Sequence, residues 1–259
     1  MSTNETAFFA LQNVYCAFGG LVAVDDLSFS LEQSSIVAMI GPNGAGKSTV
    51  FNLITGIYRA TSGTVAFRGQ SLARLGTYQI TVLGIARTFQ NIRLFAFMSA
   101  LDNVMTGRHA RMHASLADSL LHTPLQRLEE RRVRERAREL LHFVDLERSA
   151  GDDARNLSYG SQRRLEIARA LASDPQLLLL DEPAAGMNPR EKEDLVTLVE
   201  RIRASGVTIL LVEHDMKLVM GLCERVTVLD QGRKISEGTP AHVRADPRVI
   251  EAYLGTSEP

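Results

Sequence analysis

The residues Gly41-Pro-Asn-Gly-Ala-Gly-Lys-Ser-Thr49 have the types and spacing of a phosphate cradle, G-x-x-x-x-G-K-[ST]. Gly41, Gly44 and Gly46 let the backbone close round an anion so that successive N–H groups point inward, with Pro42, Asn43 and Ala45 completing the turn. Lys47 supplies a point charge for the β- and γ-phosphates, and the hydroxyl of Ser48, next to Thr49, can ligate Mg²⁺. A nucleoside triphosphate is the natural ligand. A second constellation follows the apolar run Gln176–Leu180: Asp181 is placed to hold Mg²⁺ directly or through water, and Glu182 to orient or deprotonate an attacking water. An adjacent acidic pair can equally cap a strand. Gln90 and His214 also follow strand-like runs, as polar tips at equivalent ends, where by themselves they read equally as satisfied core or loop residues.

These residues need a frame that brings strand ends together. Ser35–Ile40 is a short β-branched run before the glycines, and Val50–Ile54 continues with helical spacing from a helix that starts near Lys47. The segments Phe8–Leu11 and Leu27–Leu31 flank a turn at Gly19-Gly20, which predicts an antiparallel edge. Further strands are predicted at Gly63–Gly69 and Gly84–Gln90. From about Leu101 to Val144 the pattern is helical, with Leu125, Leu128, Ala137, Leu140, Leu141 and Val144 on one stripe and Glu130–Arg134 as a charge pair. Strand and helix then alternate: a helix over Ser161–Ala172, a buried strand at Gln176–Leu180, a helix over Pro189–Ala204 and a strand at Val207–Val212. A helix from about Asp215 and strands at Val226–Leu229 and Arg233–Ser236 follow. Alternation of this kind predicts parallel pairing and a layered α/β core.

The chain of 259 residues is long enough for one large α/β domain with an insertion. Lysine and arginine number 29 against 30 acidic residues, so charge offers no argument for nucleic acid as a partner. No apolar run approaches the roughly 18 residues that span a bilayer, and Met1–Thr6 lacks a secretory pattern, which predicts retention in the cytoplasm. Cys16 and Cys223 fit reduced, small hydrophobic residues. His109 and His113 stand four apart, but without further ligands at metal-site spacing they read as surface histidines.

Taken in order, Gly41–Thr49, Gln90, Leu157-Ser-Tyr-Gly-Ser-Gln162, Leu177–Glu182 and His214 resemble the ATPase subunits of ATP-binding cassette (ABC) transporters over nearly the whole chain. The resemblance implies a three-layer phosphate-loop NTPase (RecA-like) core with a mainly parallel sheet, an antiparallel β edge and an inserted helical subdomain. It implies one nucleotide-binding domain over 1–259, with the β edge and phosphate loop in 1–92, the helical subdomain in 93–172 and the remaining core in 173–259. It further implies ATP and Mg²⁺ as ligands, with Ser48, Gln90 and Asp181 about the metal and Lys47, Gln90, Glu182 and His214 as the catalytic set. Phe18 would stack on adenine, with Tyr15 as the alternative. Ser158 and Gly160 would cap the γ-phosphate held by an opposite subunit, through the N-terminus of the helix that follows. Two positions depart from the usual Leu-Ser-Gly-Gly-Gln, with Tyr159 for the middle glycine and Ser161 for the glutamine. Ala184–Asn188 departs from Ser-Ala-Leu-Asp and has no catalytic residue carried onto it.

Gly84–Phe95, Leu157–Gly160 with Arg163–Arg169, the helical insertion and Asp246–Gly255 are similar to the ATPases of branched-chain amino-acid importers. Urea and short-amide importers share much of this pattern. The implied partners are integral membrane permease subunits, a second ATPase and, indirectly, a substrate-binding protein, at the cytoplasmic face of the membrane. Phe95, Phe97 and Met98 are candidates either for docking a permease helix or for internal packing. A non-transport cassette ATPase acting on DNA or ribosomes would need a long coiled coil or two cassettes, and neither pattern is present.

Overall fold

The computed structural model describes residues 7–111 and 124–254. Its centre is a six-stranded sheet in the order β10-β9-β3-β8-β7-β6, formed by β3 (Ile36–Ile40), β6 (Ile85–Arg87), β7 (Leu177–Asp181), β8 (Thr208–Val212), β9 (Arg225–Asp230) and β10 (Arg233–Gly238). Neighbours from β9 to β6 run parallel, and only β10 pairs antiparallel. The antiparallel strands β1 (Phe9–Phe18), β2 (Leu21–Leu31), β4 (Ser62–Phe67) and β5 (Gln70–Ser71) form a second sheet, in the order β2-β1-β4-β5.

The three layers follow from the two-residue period of strands whose faces are both buried. In β3, Ile36, Ala38 and Ile40 face one core cluster while Val37 and Met39 face the other. In β7, Leu178 and Leu180 oppose Leu177 and Leu179 in the same way. One face packs on α1 (Lys47–Ile54), α2 (Thr77–Leu83) and the antiparallel sheet. The other packs on α3 (Ala100–Gly107), α4 (Pro124–Phe143), α5 (Tyr159–Leu171), α6 (Pro189–Ala204), α7 (Met216–Leu222) and α8 (Pro240–Ala245). A last helix, α9 (Pro247–Leu254), follows α8. Among the described residues no helix is long and apolar enough to cross a membrane.

Several local expectations need correction. The predicted N-terminal strands are longer: β1 and β2 pair from Phe9↔Leu31 to Phe18↔Leu21, across irregularities at Asn13 and Asp26, which take positive φ and join through a 2.8 Å side-chain hydrogen bond. The strand expected over Gly84–Gln90 stops at Arg87, which leaves Gln90 on the irregular segment after it. Helix α2 lacked a sequence signal because its single buried residue, Ile80, makes no stripe. The continuous helical stretch from Leu101 breaks after Gly107, where an added Cβ would collide with the Arg169 carbonyl, and a 3₁₀ turn over Arg108–Arg111 follows. On α4 the stripe is misplaced at its start, since Leu128 is exposed and Val133 is buried in its stead. Glu130 and Arg134 do pair, at 3.6 Å. His113 and the Leu125 side chain lie outside the described residues, as do Met1–Thr6 and Gly255. His109 sits in the 3₁₀ turn, and no metal-holding cluster of His, Cys, Asp or Glu occurs among the described residues. Cys16 and Cys223 are buried and free.

Candidate functional site

The glycine loop joins β3 to α1 at the carboxyl end of the parallel strands, where open α/β sheets place their ligands. Two glycines there are demanded by packing. A Cβ on Gly41 would strike the carbonyl oxygen of Leu229, and one on Gly46, whose φ is 100°, would lie 2.5 Å from the Ala23 carbonyl oxygen. Gly46 stands at the N-cap of α1 and contributes no side-chain cap, so the first N–H groups of the helix remain available to an anion. Lys47 folds back over the loop, its Nζ donating to the carbonyls of Gly41 (2.6 Å) and Pro42 (2.8 Å). Burial pushes its pKa down, against the opposing pull of Glu182 and Asp181.

The strand ends converge on this loop. Glu182 adopts φ 48°, left-handed backbone that costs a non-glycine residue on the order of 1–3 kcal/mol, and its N–H is held by the Val212 carbonyl at 2.9 Å. Oε1 of Glu182 meets Nε2 of His214 at 3.0 Å, and Oε2 accepts from Nε2 of Gln90 at 2.9 Å. A cavity of about 400 Å³ is lined by Asn43–Thr49, Gln90, Glu182, His214, Phe18 and the start of β2, Leu21–Ala23. The chain thus brings together the phosphate loop, the carboxylate and the two polar strand ends. Phe18 is 44 % exposed on its rim, edge-on to Tyr58 at 4.9 Å, whereas Tyr15 does not line the cavity.

Ser158 and Gly160 do not line this cavity. Ser158 is the N-cap of α5, accepting from the Ser161 N–H at 3.2 Å, and it is exposed. Gly160 is buried against α6, where a Cβ would lie 2.6 Å from Glu191 Oε1. Asn188 caps α6 in a reciprocal box with Glu191, with Pro189 at the first turn.

Hard oxygen donors suit Mg²⁺, which keeps waters and substrate phosphates among its ligands instead of taking an all-protein cage. Ser48, an exposed residue, and Gln90 line the cavity and carry such donors, as does Asp181 buried beside it. Asp181 has one oxygen engaged already: Arg87 Nη2 meets Oδ2 at 2.8 Å, with both side chains below 10 % exposed.

Sequence reasoning missed Arg87. It also donates to Asn52 at 2.7 Å and lies over the rings of Phe51 and Phe89, so it locks α1, β6 and β7 together. Its signal was a charge inside an apolar strand, which demands a partner. Glu213 was missed as well. This buried carboxylate, its pKa raised chiefly by burial, accepts from the N–H groups of Ala184 (2.7 Å) and His214 (3.1 Å) and so joins the segments that follow β7 and β8. The rule that singled out His214 applied equally to its neighbour.

Phe95 and Phe97 are 53 % and 77 % exposed, and Met98 is half-buried, so the first two are not internal packing. Buried Asn103 presents their segment rigidly, accepting from the Phe95 N–H at 2.9 Å and donating to the carbonyls of Phe95, Met98 and Ser99.

Comparison with known proteins agrees with this geometry. The family model described as "ABC transporter" matches residues 24–185, and one described as "branched-chain amino acid ATP-binding cassette transporter" matches 233–259. The chain is 45 % identical to the high-affinity branched-chain amino acid transport ATP-binding protein LivG of Salmonella typhimurium, over 95 % of this chain and 97 % of the relative. It is also 45 % identical to BraF of Pseudomonas aeruginosa, over 92 % and 94 %. An ATP-binding cassette of an ABC transporter solved in its ADP conformation superposes with a TM-score of 0.85 at 32 % identity, covering 97 % of this chain and all of that one. A dimeric cassette bound to ADP and Pi in a post-hydrolysis state gives 0.75 at 26 % identity, over 90 % and 98 %. With the family model spanning the phosphate loop and the Asp181-Glu182 pair, and relatives matched nearly end to end, this chain belongs to the ABC transporter family, among its ATPase subunits.

Proposed function

We propose that this chain binds and hydrolyses MgATP to drive an importer of branched-chain amino acids, working as a pair of ATPase subunits against integral membrane permeases at the cytoplasmic face of the membrane. The observation that carries the reading is the division of the site. Lys47, Ser48, Gln90, Glu182 and His214 share one cavity, while the Ser158 tip of α5 stands outside it. A second copy, or a related ATPase, would bring its own Ser158 and Gly160 to the γ-phosphate, so closure of the pair depends on that phosphate and loosens when it leaves. A solved relative that is dimeric with ADP and Pi bound supports the pairing of two such subunits.

In the cavity the N–H groups of 41–49 and the start of α1 hold the phosphates, and Lys47 exchanges its loop carbonyls for phosphate oxygens. Phe18 offers an aromatic face to the adenine. Bound Mg²⁺, held through Ser48, Gln90 and Asp181, would neutralise charge developing on the transferred phosphoryl group. Glu182, aimed by its left-handed backbone, orients the attacking water and receives its proton. His214 contacts the γ-phosphate and steadies Glu182.

The division of the chain into 1–92, 93–172 and 173–259 follows the same reading. Exposed Phe95 and Phe97, on the segment after Gln90, form the place where a permease helix docks, so that seating of Gln90 is felt in the membrane. The solute rests on the names of the relatives and on the match over 233–259. The test is purification from detergent-solubilised membranes followed by uptake measured in proteoliposomes. Co-purifying permeases and ATP-dependent uptake of leucine, isoleucine or valine are expected. Uptake of urea or short amides alone would reassign the solute, and a purely soluble set of partners would overturn the transport reading.

A further inference from the structure

Tyr159 is the first residue of α5, directly after the Ser158 cap, in the place where the broader family pattern has glycine. Its side chain is engaged at the ring and at the hydroxyl. The ring lies on Gly186, where an added Cβ would stand 3.2 Å from Cε1 and 3.5 Å from Cζ. Gly186, with φ 75°, belongs to the segment that runs from Glu182 to the Asn188 cap of α6. The hydroxyl accepts from Nη2 of Arg163 at 3.0 Å, and the same guanidinium donates to the carbonyls of Phe89 (2.7 Å) and Gln90. One phenol therefore touches the segment leaving Glu182 and, through Arg163, the segment carrying Gln90, while its own backbone carries the serine tip.

We infer that Tyr159 is a positioning residue that locks the Ser158 tip to the 182–188 segment of its own chain, so that the tip offered to a partner's nucleotide and the carboxylate of its own site move as one body. The inference rests on the shared-site reading above. A tyrosine suits the task because its ring supplies contact area while only two side-chain torsions need to be held. Gly186 is its complement, since a methyl group there would press on the ring at less than ordinary van der Waals distance. With glycine at 159 the contact with Gly186 would be lost, while Gly160 would still pack on Glu191 of α6.

The test uses the full chain with Tyr159→Phe, Tyr159→Gly, Gly186→Ala and the double variant Gly186→Ala/Tyr159→Gly. Steady-state hydrolysis gives kcat and KM, and a fluorescent ATP analogue gives affinity for the monomer. Light scattering gives ATP-driven association in a Glu182→Gln background. Monomer affinity is expected to stay within about twofold throughout, because none of these side chains lines the nucleotide cavity. In Tyr159→Gly, kcat should fall about tenfold or more and association should need correspondingly more protein, as small misplacements of reacting groups do. Tyr159→Phe keeps the ring and should lose only a few-fold. Gly186→Ala should cost more with Tyr159 present than in Tyr159→Gly, the non-additivity of residues in contact. If Glu182→Gln associates with ATP and Glu182→Gln/Tyr159→Gly does so equally well, or if the Gly186 and Tyr159 effects simply add, the role of Tyr159 is overturned. If Glu182→Gln itself never associates with ATP, the shared site fails first.

Discussion

His214 Nε2 stands 3.0 Å from Glu182 Oε1, bridging the carboxyl ends of the neighbouring parallel strands β8 and β7. With Gln90 Nε2 at 2.9 Å on the other oxygen, the carboxylate is held from both sides at the mouth of the phosphate loop. Glu182→Gln keeps the shape and removes the proton acceptor. Turnover should drop by about 10²–10⁴-fold while ATP affinity stays within a few-fold. Hydrolysis at the parent rate in single-turnover assays would remove Glu182 from the chemistry.

Lys47→Ala should raise the Kd for ATP by about 10–100-fold, the usual effect of losing a charge-assisted contact. A fluorescent analogue reports it directly. Because burial lowers the pKa of the free protein's Lys47 while a triphosphate favours the charged form, affinity should be highest below that lowered pKa. It should weaken as pH rises through it, at lower pH than an ordinary lysine would show. Titrations carried up to the ordinary lysine range follow this; unchanged affinity in the alanine variant would take the clamp out of the argument.

Arg87→Ala leaves Asp181 buried without its partner, which should cost about 3–5 kcal/mol. Urea unfolding measures this, and a loss under about 1 kcal/mol would mean that the pair behaves as a surface ion pair despite its burial.

Both cysteines should be silent in the native protein. Burial pushes the Cys223 thiol up to about 12, with Glu213 and Glu224 adding to it, and raises Cys16 as well. At pH 9 roughly one Cys223 in a thousand would be thiolate. Iodoacetamide should label neither residue until the chain is unfolded, and labelling of folded protein at the rate of a free thiol would contradict their burial.

The strands were legible because β3, β7 and β8 are buried on both faces and read as unbroken apolar runs. Helix α6 kept its expected bounds, Pro189–Ala204, because Asn188, Pro189 and Glu191 mark its start chemically. Boundaries failed where no local chemistry set them. β6 ends at Arg87, and α4 turns its buried face at Val133, since neither limit is set by a cap or a turn residue but by what lies opposite.

The phosphate chemistry was written in the chain itself: glycines, a lysine and a serine at fixed spacing need only a strand before them and a helix after, and local backbone preferences supply both. What tertiary structure alone decided is the company these residues keep. Arg87 reaches Asp181 across 94 positions, Gln90 reaches Glu182 across 92 and Tyr159 rests on Gly186, because parallel strands bring distant segments to one edge and buried charges settle only where a partner waits.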